Sequence, residues 1–430
     1  MKDSYGFSSY FLDGCIGYLA KRAQDLRNSF GQRVLCNLQE IVFEESIMTQ
    51  FDYMLTEMLE QPKILKSILK DSEIKELAEI LIEENVERIY LTGSGDSYCA
   101  AWFGAYLGEK WCPDLRIRHY APFEFVNYSR PELLKGSAVI GISVSGETPR
   151  VLESTIFANK HGAITIGLTD NPDGKLVKET DYKLLIHASP SEALQNSSYS
   201  SEGAKDYTGY HHDVSQTKTY LANLSVLSVL VGYLSERTKK AIQSAHEAFS
   251  LVEQVIEQRG TFLKIGQSIS NVADRIFFVA SGSNSVTGLF GVYKMFEFTL
   301  NGFTCDIEEY CHTGYFITTD HTSVVFIAPD AVSLNRIMEI EPVIREELNA
   351  QTVVLVDTEL KREAGPSSTP IALPKDRVLS PLVLTIPIEF LSYSLAKSKG
   401  FNTNLFRGGQ DTEKYVSGSY KMIRQSKLQF

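Results

Sequence analysis

Three hydroxyl side chains and a glycine stand together in Ser143-Val144-Ser145-Gly146-Glu147-Thr148, directly before Pro149. The run Ala138 to Ile142 ahead of them is short, continuous and apolar, which predicts a buried parallel strand. Pro149 suits the first turn of a following helix, where a missing N–H costs nothing. A strand that ends in Ser-x-Ser-Gly-x-Thr and feeds a helix makes an anion cradle. The N–H groups of the first turn lack partners, the helix dipole is positive there, and each hydroxyl can donate a hydrogen bond. The loop holds no lysine and no Walker pattern, so a singly phosphorylated small molecule fits it better than a nucleoside triphosphate. The same residue types also permit a plainer reading, in which Ser145 or Thr148 only caps the helix.

A second turn of this kind lies about fifty residues upstream, in Gly93-Ser-Gly95-Asp96-Ser97-Tyr98 after the apolar stretch Arg88 to Thr92. Its glycines allow a tight turn and close approach of a ligand to the backbone. Two hydroxyl-rich turns, each at the carboxyl end of a predicted strand, lie where open α/β sheets bind their ligands.

The elements that must position these turns can be read in order. Phe51 to Lys70 repeats apolar residues at helical spacing around a break at Gln61-Pro62, and Ile74 to Glu84 is a second helix. Arg116 to His119 reads as a strand and Phe123 to Val126 as a short helix. Ala163 to Thr169 and Tyr182 to His187 are further strands, and this alternation predicts a parallel, three-layer α/β domain. Residues 188–213 are polar, include His211-His212, and read as a surface loop or lid. A helical pattern resumes at Val214 and runs to Leu234, and Ser235 to Ile265 continues it with Gly260 as a break. Arg275 to Ser285 then repeats the Arg88 to Tyr98 pattern of strand, small-residue turn and helix. Thr322 to Ala328 and Gln351 to Val356 supply the next strands, so the chain carries two copies of one α/β unit. The copy has lost the Ser-x-Ser-Gly pattern after Ala328, where it reads Pro329-Asp330-Ala-Val-Ser. One copy is therefore expected to hold the anion. The expected boundaries are a helical lead-in over 1–72, domains over 73–240 and 241–400, and a tail over 401–430.

Composition bounds the function. Of 430 residues, 43% are hydrophobic and 22% charged, and the formal net charge is −11. That is an ordinary globular composition without the basic stripe that nucleic acid requires. The six cysteines, at 15, 36, 99, 112, 305 and 311, show no CxxC or metal-ligand spacing. With no leader pattern ahead of them they read as reduced thiols of a cytoplasmic protein. No apolar run is seen to approach the length that spans a bilayer, so no membrane partner is expected.

Taken together, Ser143-Val-Ser-Gly-Glu-Thr148, Gly93-Ser-Gly-Asp-Ser-Tyr98, Thr217-Lys218 and the duplication resemble the sugar isomerase (SIS) domain family. Within it, the likeness is to the isomerase half of glucosamine-fructose-6-phosphate aminotransferases, from about Met54 onward, including Met58-Leu-Glu-Gln-Pro62. The resemblance implies two flavodoxin-like three-layer α/β/α domains with parallel sheets. It implies that Ser97, Ser143, Ser145 and Thr148 hold a sugar phosphate, with Gly95, Asp96 and Val144 lining the same pocket and Val214 touching the sugar. Lys294-Met-Phe-Glu297 resembles the segment whose glutamate moves a proton between C1 and C2. Glu309-Tyr-Cys-His312 resembles the segment whose histidine opens the sugar ring, often from a neighbouring subunit, which implies a homodimer or higher homo-oligomer. Lys414 would sit near the carbonyl. On spacing alone, Glu297 and Lys294 could equally be a helical i,i+3 ion pair, and His312 and Lys414 solvated side chains.

The chemistry suits these types. Aldose–ketose interconversion runs through an enediol, or an enamine when C2 bears nitrogen. It needs a base that takes and returns one proton, and a buried carboxylate suits that task without cofactor or metal. Four departures from the resemblance matter. The chain begins Met1-Lys-Asp-Ser, so no glutaminase domain with its nucleophilic cysteine is expected. Val144 replaces the usual glutamine between the loop serines, and Gln216 replaces a serine near the sugar. Asp96 replaces a threonine, an extra carboxylate that would suit an amino sugar. The expected activity is a phosphosugar isomerase or deaminase interconverting glucosamine 6-phosphate with fructose 6-phosphate and ammonia. A deglycase of 6-phosphorylated sugar–amino-acid adducts and a non-catalytic sugar-phosphate sensor are the alternatives.

Overall fold

Every residue of β3 (Ser137–Ile142) and of β8 (Thr322–Ala328) is buried, as apolar strands covered by helices on both faces must be. Each is the middle strand of its own sheet. The computed structural model describes residues 52–188 and 215–429, and from Tyr53 onward the chain forms one compact unit. The first sheet adds β1 (Arg88–Gly93), β2 (Arg116–Tyr120), β4 (Ile164–Thr169) and β5 (Tyr182–Leu185), in the order β2-β1-β3-β4-β5. The second adds β6 (Arg275–Val279), β7 (Asn301–Cys305), β9 (Gln351–Asp357) and β10 (Ser368–Ile371), in the order β7-β6-β8-β9-β10. All pairings are parallel. Both sheets thus have the flavodoxin-like order, second-first-third-fourth-fifth strand of their half. The fold and its duplication are those the sequence led us to expect.

The helices that matter for the site follow from this order. α1 (Tyr53–Ile68) and α2 (Ser72–Glu83) precede β1. α3 (Asp96–Trp111) follows β1, α4 (Pro122–Tyr128) follows β2, and α5 (Pro149–Lys160) follows β3. α6 (Lys175–Lys178) follows β4. Between the sheets run α7 (Lys218–Leu234), α8 (Thr238–Glu257) and α9 (Arg259–Val272). The second half adds α10 (Ser285–Glu297) after β6, α11 (Ile307–His312) after β7, and α12 (Ala331–Glu346) after β8. α13 (Ser380–Ser398) and α14 (Thr412–Ser419) complete the chain, with a π-helical turn at Tyr420–Arg424. α3 packs toward β2 whereas α5 packs toward β4. The connections therefore diverge between β1 and β3, which opens a crevice at their carboxyl ends. α3 and α10, the first helix after each leading strand, pack together and bring the two halves to that crevice.

Several sequence expectations are corrected. α1 runs unbroken through Pro62; packing on α7, α8 and α13 holds it across the lost hydrogen bond. The helix after the polar segment begins at Lys218 instead of Val214, and Val214 lies outside the described residues. Gly260 lies inside α9, and the break falls at Gln258. β7 and β10 were not recognised in the sequence. Among the described residues one helical stretch, Arg377–Ser398, is long and apolar enough to cross a membrane, contrary to the expectation, and 94% of its apolar 18-residue window is buried inside the protein. Cys99, Cys112, Cys305 and Cys311 are free thiols.

The same position in the two halves ends differently. At the start of α12, Asp330 caps its own helix, its carboxylate accepting from Ser333 N at 2.9 Å in a reciprocal capping box. At the start of α5, Thr148 occupies the N-cap position but makes no side-chain cap bond.

Candidate active site

The serine loop is fastened by its carbonyls. Val144 O accepts from Asp170 N at 3.1 Å and from Thr169 Oγ1 at 3.0 Å. Ser145 O accepts from Asn171 Nδ2 at 2.9 Å, and Gly146 O from Leu176 N at 2.9 Å. Three successive carbonyls are thus turned to the β4–α6 turn, and no described group accepts from the N–H of Val144 or Ser145. Gly146 makes the turn at φ +66°, a region that costs other residues energy. The Ser143 and Thr148 hydroxyls bond each other at 2.9 Å, and Ser143 and Ser145 are buried. Against the plainer capping reading, Thr148 makes no cap bond, whereas Ser145 Oγ accepts from Glu147 N at 3.3 Å. The loop presents N–H groups and hydroxyls at a positive helix end, the requirements of an anion cradle.

Next to it, Gly95 stands at φ +60° before α3. Asp96 and the buried Ser97 follow in the first turn. From the second half, α10 delivers Lys294 and Glu297 to Asp96. Lys294 is wholly buried, and its Nζ donates to Glu297 Oε1 at 2.8 Å, Gln216 O at 2.9 Å and Asp96 Oδ2 at 3.0 Å. An ammonium has three protons, and all three are committed to protein acceptors. Its charge also lies 5.0 Å from the Phe290 ring, which stacks on Tyr220 of α7 at 4.1 Å. Despite burial, the two carboxylates hold the Lys294 pKa well above its ordinary value.

Glu297 keeps its second oxygen on Ser215, whose Oγ donates to Oε2 at 2.5 Å. Burial pushes its pKa up to about 7, with Lys294 pulling down and Asp96 pushing up. A fifth of its side chain remains exposed, so the carboxyl is sheltered yet reachable. That is the environment of a general base that works near neutrality.

The segment above Lys294 is held by α1. Glu57, buried, accepts from Thr217 N at 3.1 Å, and Glu60 accepts from Lys218 Nζ at 2.6 Å. α1 therefore positions the Ser215-Gln216 strip that closes over the cluster. Ser215 was missed in the sequence; its place in the Ser-Gln-Thr-Lys run beside the family-like Thr217-Lys218 was the only signal.

The structure brings together Asp96, Lys294 and Glu297, and beside them Gly95 and Ser97. Ser143, Val144, Ser145 and Thr148 lie on the adjacent strand end. It does not bring His312 or Lys414 to them. His312 is exposed at the end of α11 beside Glu308, and no described contact joins it to the cluster. Lys414 is exposed on α14, 5.6 Å from the Tyr415 ring. The extra carboxylate of Asp96, expected to meet an amino sugar, spends Oδ2 on Lys294. Among the described residues no group of three or more His, Cys, Asp or Glu could hold a metal ion.

The serine loop and the Asp96–Lys294–Glu297 cluster thus lie at the carboxyl ends of the neighbouring strands β3 and β1. The SIS domain family model matches residues 80–202 of this chain. It is 26% identical over 367 residues to the isomerizing glutamine–fructose-6-phosphate aminotransferase of Geobacillus kaustophilus, covering 81% of this chain. It spans 56% of that relative's length. Among solved structures, the C-terminal domain of glucosamine-fructose-6-phosphate aminotransferase from Francisella tularensis has the same fold. Its TM-score is 0.68 at 20% identity, over 84% of this chain and 99% of that one. Glucosamine-6-phosphate deaminase from Thermotoga maritima superposes with a TM-score of 0.56 at 18% identity, over 81% of this chain and 95% of that one.

Proposed function

We propose that this chain is a phosphosugar isomerase and deaminase that converts glucosamine 6-phosphate and water to fructose 6-phosphate and ammonia, or runs the reverse. The observation that carries the reading is Glu297, a reachable carboxyl with a pKa of about 7 held between Lys294 and Ser215. The serine loop takes the phosphate and Ser97 adds a hydroxyl. Glu297 removes the C2 proton of the ring-opened amino sugar, leaving an enolamine, and returns the proton to C1. The resulting C2 imine is hydrolysed by water, which releases ammonia and leaves the ketose. Lys294 acts as a positioning residue, since its protons are all spent on the protein. The relatives named for fructose-6-phosphate amination and glucosamine-6-phosphate deamination support the substrate class.

The test is ammonia release from glucosamine 6-phosphate, followed with fructose 6-phosphate formation, for wild type and Glu297→Gln. Both products from wild type and a loss of about a thousandfold in the variant are expected. An active Glu297→Gln would remove the base assignment. No product from wild type, with the sugar phosphate still bound, would overturn the deaminase reading. It would direct the assay to 6-phosphorylated sugar–amino-acid adducts, and failure there would leave a sensor.

A further inference from the structure

The serine loop offers a doubly charged phosphate only neutral donors, in a chain of net charge −11. Two cations stand beside the loop, each in an ion pair. Arg150 Nη1 is bonded to the fully buried Glu153 at 2.5 Å, and Lys175, on the surface, is paired with Glu147 at 2.8 Å. The C-terminal tail brings another. After the π-helical turn Tyr420–Arg424, the Arg424 guanidinium Nη2 lies 3.4 Å from Ser145 Oγ. Five residues on, Gln429 N donates to Glu153 Oε1 at 2.5 Å. The tail is therefore seated at two points, one on the loop and one in the first turns of α5.

We propose that Arg424 is a binding residue for the phosphate group of the substrate, supplying the positive charge that the hydroxyls of Ser143, Ser145 and Thr148 lack. This rests on the phosphosugar reading above. Its contact with Ser145 Oγ is long for a hydrogen bond. A phosphate oxygen accepting from that hydroxyl would come within reach of the guanidinium and make the shorter, charge-assisted bond. The planar fork of arginine can meet two phosphate oxygens at once, which a lysine there could not. The tail thereby makes affinity depend on the phosphate.

The experiment is titration calorimetry on the full chain with glucosamine 6-phosphate, inorganic phosphate and unphosphorylated glucosamine. Wild type is compared with Arg424→Met, Arg424→Gln and Arg424→Lys, each checked for an unchanged melting temperature. Arg424→Met and Arg424→Gln are expected to weaken both phosphate ligands about ten- to a hundredfold and to flatten the salt dependence. Glucosamine binding should stay as it is, and Arg424→Lys should restore part of the loss. Wild-type binding with Arg424→Met and Arg424→Gln within twofold of it overturns the assignment and leaves the phosphosugar function standing. Tighter binding by the variants also overturns it, showing that the guanidinium competes for the cradle. A wild type that binds neither phosphate ligand overturns the function along with it.

Discussion

Lys294 decides what Glu297 can do. With Nζ shared among Asp96, Gln216 and Glu297, the ammonium pulls the Glu297 pKa down against burial and Asp96, and the balance falls at about 7. The base form exists above that value, so kcat/KM should rise with pH through about 7 and level off beyond it. Lys294→Met removes the downward pull and should move that limb to higher pH. It should also leave two carboxylates facing each other in a sheltered site, which lowers stability by about 3 kcal/mol. A pH–rate profile and a thermal melt read both effects. A limb that stays at the same pH in the variant would show that Lys294 does not set the base.

The loops and helices carry the next layer. Gly146 is held at φ +66° by Ser143 O on one side and Leu176 N on the other. A Cβ there would stand 3.1 Å from Thr169 Oγ1 and 3.3 Å from Gly174 Cα. Gly146→Ala should therefore rotate the loop, with a strain of about 1–2 kcal/mol, and raise KM for the sugar phosphate about tenfold while altering kcat less. Steady-state kinetics would show it. This part of the site was legible in the sequence, because Ser143, Ser145, Gly146 and Thr148 lie within one turn of chain. The i,i+3 pair Lys294 and Glu297 was legible for the same reason. Ser215, Glu57, Glu60 and Arg424 were not, since each acts on a residue remote in sequence. Among strands, β7 and β10 escaped because neither carries an apolar run. Asn301-Gly-Phe-Thr-Cys305 has one large apolar residue and only one buried position, and Ser368-Thr-Pro-Ile371 carries a proline that only an edge tolerates. Pro62 misled in the other direction, since a helix packed on its neighbours survives one missing donor.

At the scale of the molecule, the site is built across two halves of one chain, and two expected participants, His312 and Lys414, are not there. His312 is exposed on α11, away from Glu297, while the resemblance gives its role to a neighbouring subunit. If so, two inactive variants should repair each other. A mixture of Glu297→Gln and His312→Ala chains, unfolded and refolded together, should recover about a quarter of wild-type activity, since half the dimers are mixed and each holds one intact site. No recovery would mean that His312 serves its own chain or serves no catalytic purpose. The two halves also divide the work unequally. In the second, the Asp330 carboxylate occupies the start of α12, a negative group built permanently into the place that matches the serine loop, our proposed phosphate site of the first half. The duplicated cradle is a lock supplied with its key already turned. Each chain should therefore take up a single equivalent of sugar phosphate, however closely its halves match.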